Sequence, residues 1–336
     1  MNKQTGSQLL KVIGSLAILA FLITRINWDP QQFTTVFNRL NLNWYLISLT
    51  GVILVLGFKS VRWNLLLKAE GCIYPYYSAF LAYMSSFTIG LLTPGRVGEI
   101  ARLYYVRSER KIDFFHSFKT IVIDRIFDFA MLIWFGTSGI LFYYKVLGNL
   151  HALLYLLIVG VIMLIAWITG KIILKMIKSD KQRVWFTFIY EAWTEMFHAK
   201  MVVPWLLTLL AYLIFYVANW FILLSLGQRI TLTEVGFILS LMSLVTLIPI
   251  TIAGFGTREA SLIFLFSFYG LSPEIAVIFS LLQFIAFFLW GGLIGWLFWM
   301  IKPVKLSLIK DDAVKVFGYF KQINLNNTKE KERHDN

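Results

Sequence analysis

Residues Thr93-Pro94-Gly95-Arg96-Val97-Gly98-Glu99 interrupt an otherwise apolar stretch, Ser78–Val106, with a proline, two glycines and two opposite charges. Their surroundings decide how they are read. The chain has 336 residues, 58% of them hydrophobic and only 15% charged, with a mean hydropathy of +0.71. A soluble domain carries about 25% charged residues to cover its surface, so this composition excludes one. Apolar runs such as Leu150–Thr169, Val202–Leu226 and Ile275–Ile301 match the ~30 Å hydrocarbon core of a bilayer. A charge at the bilayer centre costs at least ~2.5–3.5 kcal/mol on insertion scales, so Arg96 and Glu99 need partners or a purpose.

A second stretch repeats the interruption. Val235–Tyr269 breaks at Pro249 and again at Ala253-Gly254-Phe255-Gly256-Thr257-Arg258-Glu259. The pieces flanking each break are short for a crossing, so the expectation is two re-entrant hairpins, over residues 76–106 and 235–270. Full spans are expected near 9–26, 44–67, 119–143, 150–169, 202–226 and 275–301. Leu9–Ile26 runs on into Arg25 and Trp28 without a small-residue cleavage site, which makes it a retained helix rather than a signal peptide. With both termini cytoplasmic, 24 of the 31 lysines and arginines fall inside, including Lys59, Arg62 and Arg102. Arg25, Arg39, Lys145 and Arg229 fall outside, and Arg96, Arg125 and Arg258 lie within the membrane. Counting either hairpin as one span would reverse this asymmetry, so the positive-inside rule supports the hairpins.

The resulting fold class is an all-α polytopic membrane protein of about eight hydrophobic segments. Six full helices and two broken-helix hairpins form an inverted repeat, with units at 1–145 and 146–301 and a basic, partly disordered cytoplasmic tail at 302–336. Three crossings per unit invert the second unit, and Gly98-Glu99-Ile100-Ala101 weakly matches Arg258-Glu259-Ala260-Ser261. Such repeats with matching breaks are the usual pointer to a transporter site near the midplane. Residues 181–198 place Trp185, Ile189, Ala192, Trp193 and Met196 on one helical face, which suggests an interfacial helix on the inner leaflet. The net charge of +13 belongs with anionic lipid, not nucleic acid. A single cysteine, Cys72, forms no internal disulfide, and four isolated histidines lack ligand spacing, so neither metal nor cofactor is expected.

The chemistry concentrates in seven intramembrane charges: Arg96, Glu99, Asp124, Arg125, Asp128, Arg258 and Glu259. Half-helices starting after Gly95 and Gly98, and after Gly256, would point unpaired N–H groups and a positive dipole end into the membrane. Glycines permit close approach of a ligand, and guanidinium groups suit phosphate. The candidate anion site therefore comprises Gly95, Arg96, Gly98, Glu99, Gly254, Gly256, Arg258 and Glu259. Arg–Glu pairing within each break is the structural alternative. Asp124 and Asp128, four apart on one helix face, either bind a coupling proton or cation or act as counter-charges for Arg96. Arg125 lies off that face, towards Glu99.

Thr93-Pro94-Gly95-Arg96-Val97-Gly98-Glu99-Ile100-Ala101-Arg102, Asp124-Arg125-Ile126-Phe127-Asp128 and Gly254-Phe255-Gly256-Thr257-Arg258-Glu259, in this order, resemble the lysylphosphatidylglycerol synthase transmembrane region, or flippase-like, family. The resemblance covers about residues 10–302. It implies a membrane-embedded, lipid-handling protein whose breaks carry substrate-contacting Arg and Glu. In the best-known members this region moves an aminoacylated phospholipid between leaflets, ahead of a soluble aminoacyl-transferase domain. Residues 302–336 offer no room for such a domain, so enzymatic lysine transfer is not expected. The leading expectation is translocation of an anionic phospholipid or polyprenyl-phosphate-linked precursor. A membrane-embedded lipid-modifying transferase with Glu99 or Asp124 as base is the alternative. An accessory subunit presenting lipid to a glycosyltransferase, or a homo-oligomer, completes the set of partners.

Overall fold

The computed structural model describes residues 30–91, 93, 98–110, 114–143, 154–162, 164–165, 187, 190–247 and 256–303, and among these every regular element is helical. The expected span at 9–26 lies outside them. Of the expected span at 150–169, residues 154–162 and 164–165 are helical. After α1 (Pro30–Asn38), Asn41 caps α2 (Leu42–Ala69), its side-chain oxygen accepting the N–H of Asn43 at 3.1 Å and Trp44 at 3.4 Å. Gly71, at φ +80°, closes α2: Cys72 N–H donates to the Leu67 carbonyl and Gly71 N–H to that of Lys68. Then follow α3 (Tyr76–Leu91), α4 (Ala101–Glu109) and α5 (Phe114–Tyr143). The remaining elements are α6 (Val202–Ser225), α7 (Leu232–Leu247), α8 (Thr257–Ser267), α9 (Pro273–Phe284) and α10 (Gly291–Ile301), with a π-helical turn at Ile285–Trp290 joining the last two.

Four segments are long and apolar enough to cross a membrane: Leu42–Ala69, His116–Tyr143, Ala199–Ser225 and Pro273–Ile301. They coincide with four of the six expected spans. The 16-residue helices α3 and α7 rise only about 24 Å at 1.5 Å per residue, short of the ~30 Å core. Each contacts the shorter helix that follows it, α4 against α3 and α8 against α7. Leucines at 46, 54, 206 and 293 stand exposed on the outer faces, as lipid-facing positions require.

Small residues set the closest crossings, as expected where lipid removes the hydrophobic drive between helices. A Cβ on Gly51 of α2 would lie 2.6 Å from that of Ala218 on α6. One on Gly139 of α5 would lie 2.6 Å from Cβ of Phe237 on α7, and one on Gly295 of α10 would strike the Met84 carbonyl of α3. The three crossings are reciprocal: α2 packs on α6, while α3 packs on α10 and α7 on α5.

The elements also recur at constant spacing. Leu232 follows Tyr76 by 156 positions, as do Leu247 after Leu91, Thr257 after Ala101 and Ser225 after Ala69. Gly227 (φ +74°), 156 after Gly71, ends α6 with the same pair of bonds, Gln228 N–H to Leu223 and Gly227 N–H to Leu224. Gly295 stands 156 after Gly139.

Candidate functional site

Where α2, α4, α5 and α6 meet, seven charged side chains gather. Lys59 and Arg62 come from α2, Glu99 and Arg102 from the start of α4, and Asp124, Arg125 and Asp128 from α5. Arg62 is fully buried: its Nε donates to Asp124 Oδ1 (2.8 Å), Nη1 to Asp128 Oδ1 and Thr208 Oγ1 (both 3.0 Å), and Nη2 to the Asp124 carbonyl (3.1 Å). Arg102, equally buried, donates to Asp124 Oδ2 at 2.9 Å and Glu99 Oε2 at 3.1 Å, with its guanidinium over the Tyr83 ring at 4.6 Å. Lys59 reaches Asp128 at 3.0 Å and lies over the Tyr212 ring at 4.9 Å. Asp124 and Asp128 thus present one face, and that face meets two helices bearing arginine and lysine.

Several expectations change here. Lys59, Arg62 and Arg102, expected only as inside-loop charges, join the site: Arg62 and Arg102 are buried and Lys59 nearly so, paired with three carboxylates. Buried cations say nothing about which side of a membrane a loop faces. The two aspartates pair with Arg62, Arg102 and Lys59; Arg96, the partner first considered, lies outside the described residues together with Gly95 and Gly254. Arg125 does approach Glu99, at 2.9 Å.

At the second break Arg258 and Glu259 pair at 2.9 Å, and both are buried. Ser280 of α9 completes a triad: it accepts from Arg258 Nε (2.7 Å) and donates to Glu259 Oε1 (2.5 Å). The Arg258 guanidinium lies 5.4 Å from the centre of the Phe284 ring. One turn away, Gln283 donates to Asn219 Oδ1 at 2.8 Å. By the constant spacing Arg258 corresponds to Arg102, and Ser280 to Asp124, so the same arginine–α5/α9 contact occurs in both halves.

The half-helix N-termini are less open than expected. Gly98 N–H donates to Thr93 Oγ1 at 2.7 Å, and Gly256 N–H to Glu259 Oε2 at 2.6 Å. Each break therefore caps its own first amide, the second by the carboxylate three residues on. Gly98 still serves close approach, since a Cβ there would collide with the Ile89 carbonyl. The amphipathic segment at 181–198 also differs. In its described part, Ala192 and Met196 are buried with Leu66, Ile123 and Phe127, so this face packs on protein rather than lipid. Lys119 ties it down through an ion pair to Glu195 and another, at 3.2 Å, to Glu70. Sequence reading missed Lys59, Arg62, Thr208, Arg102 and Ser280 as site members. The signal for two of them was present: Lys59 and Arg62 stand three apart inside an apolar run.

Among the described residues no group of His, Cys, Asp and Glu could hold a metal ion. The family model of the lysylphosphatidylglycerol synthase TM region matches residues 8–295. A UPF0104 membrane protein of Methanocaldococcus jannaschii, MJ1595, is 25% identical over 328 residues, covering 89% of this chain and 96% of that relative. No solved structure matches.

Proposed function

The chain belongs to the lysylphosphatidylglycerol synthase TM region family, a family of multi-pass membrane proteins, and on that premise we propose that it is a flippase-like transporter. It moves an anionic phospholipid or lipid-linked precursor between membrane leaflets. The observation that carries this reading is the reciprocal packing of elements spaced 156 residues apart, with α3 on α10 and α7 on α5. Equivalent surfaces meeting each other are the mark of a two-fold relation. With six crossings and two hairpins, that relation becomes an inverted repeat, in which one hairpin opens to each side of the cell membrane and the termini are cytoplasmic. Alternating access then rocks one unit against the other around the buried charges. No enzymatic step is assigned: Asp124 already accepts from two arginines, which makes it a poor proton acceptor for a transferase. The substrate is recognised by its phosphate, with no cofactor.

Reconstitution into vesicles containing head-labelled phosphatidylglycerol tests this. Protein should make inner-leaflet label accessible to an external quencher. Arg96→Ala, and the paired neutral variant Arg258→Gln with Glu259→Gln, should abolish that accessibility while the protein stays monodisperse. Wild-type reorientation by both variants would sink the proposal.

A further inference from the structure

The seven-charge cluster holds four cations against three carboxylates, and the cations are not used alike. Arg62 makes four hydrogen bonds and Arg102 three, and both are sealed from the surface. Arg125 differs. Its guanidinium sits 2.9 Å from Glu99, 3.5 Å from Asp128 and 3.6 Å from Asp124. Yet its buried Nε has no hydrogen-bond partner among the described residues, and 30% of its side chain is open. Of the four cations it has the most open side chain, 30% against 17% for Lys59 and 1% or less for Arg62 and Arg102, and it also keeps an unpartnered Nε.

The other half shows what the scaffold itself asks for at this position. The residue 156 further on is Leu281, which is 43% exposed, as an ordinary lipid-facing residue is. Packing therefore does not call for arginine here. Nor do the carboxylates need it, since Arg62, Arg102 and Lys59 already engage all three. A partly open arginine with an unpartnered Nε and long, off-ideal contacts to Asp124 and Asp128, at a position where the second half has an exposed leucine, suits the phosphodiester of a lipid whose tails stay in the bilayer.

We propose that Arg125 is the residue that grips the lipid phosphate, and that Lys59, Arg62 and Arg102 hold the carboxylates that aim it. This rests on the translocator reading and names its substrate contact. Purified full-length protein in detergent would be titrated with tail-labelled phosphatidylglycerol, followed by anisotropy, with inorganic phosphate as competitor. Arg125→Gln should weaken lipid binding by at least tenfold with little change in melting temperature, and Arg125→Lys should recover part of the loss. Inorganic phosphate should displace the lipid only at concentrations far above that of the lipid. Wild-type affinity in a folded Arg125→Gln, or in Arg125→Lys alongside an Arg125→Gln that fails to fold, would overturn the assignment. Displacement by phosphate at equal concentration would overturn the lipid source. Arg125-dependent binding by a wild-type protein that reorients no lipid would leave this inference standing and remove the translocator reading.

Discussion

Superimposed at a spacing of 156, the two halves share their scaffold and differ in almost every charge. Lys59 meets Phe215, Arg62 meets Ala218, Asp124 meets Ser280, Arg125 meets Leu281 and Asp128 meets Phe284. Arg102 and Arg258 alone are common, and each bonds to the residue at the same place on α5 or α9. Ala218 and Ser280 are as buried in their half as Arg62 and Asp124 are in theirs. The same positions therefore close around small side chains, one apolar and one an uncharged hydroxyl. This agrees with the general weakness of buried ion pairs as stabilisers, since desolvation offsets most of the attraction. Among the described residues, the first half carries a seven-charge network where the second has only the Arg258, Glu259 and Ser280 triad.

The sharpest way to break that comparison is to remove one member of the network. Arg62→Ala leaves Asp124 and Asp128 buried with a cation lost, and should cost about 3–5 kcal/mol, visible as a large drop in melting temperature or failure to purify. Giving the first half the second half's own residues, Arg62→Ala with Asp124→Ser and Asp128→Phe, should recover most of that loss. A triple variant no more stable than the single one would show that the halves are not interchangeable scaffolds. A smaller effect tests the shared part. Gly139→Ala and Gly295→Ala each force a methyl into a helix crossing, against Phe237 and against Met84 with Thr88. Each should cost about 1–3 kcal/mol by overpacking, and thermal unfolding should show losses of similar size. If one glycine tolerates alanine freely, the two crossings are not equivalent.

Much of this scaffold was legible in the chain. Four long helices fall where apolar runs of about 20 residues placed them, because length and hydropathy alone decide whether a segment can span. Pro94, Pro249, Gly95 and Gly254, which marked the two breaks in the sequence, lie outside the described residues; helices end before them, at Leu91 and Leu247, and new ones begin at Ala101 and Thr257. The register of the repeat was not legible: Glu99 resembles Glu259 in local sequence, yet spacing pairs Arg258 with Arg102. The reason is that the carboxylates arrive differently, Glu99 from three residues before its arginine and Glu259 from the residue after. Arg62 was not read as a site member because a cation near a span's end reads as a loop charge until a partner from another helix is known. Asp124 is that partner, 62 positions away, and no local pattern announces it. The partial exposure of Arg125 depends on Glu99, 26 positions away, as well as on its own helix, and was equally out of reach of the sequence.

The smallest expected effect concerns a contact that only one half possesses. Glu109, at the end of α4, accepts from Tyr74 Oη at 2.9 Å and pairs with Lys302 beyond α10, while Tyr105 Oη donates to the Lys302 carbonyl at 2.6 Å. The positions 156 after Tyr74 and Glu109 are Ile230 and Leu265, so the second hairpin carries no such latch. The side chains of Lys302 and Glu109 are 32% and 26% exposed, so water screens the pair and Glu109→Gln should change stability by no more than about 1 kcal/mol. The hydrogen bond from Tyr74 survives in the glutamine variant, which isolates the charge. A loss as large as that of Arg62→Ala would mean that α4 is held to α10 by this charge rather than by the packing of α3 on Gly295. The first hairpin would then be fixed by a device the second lacks, and the likeness of the two halves would stop at their backbones.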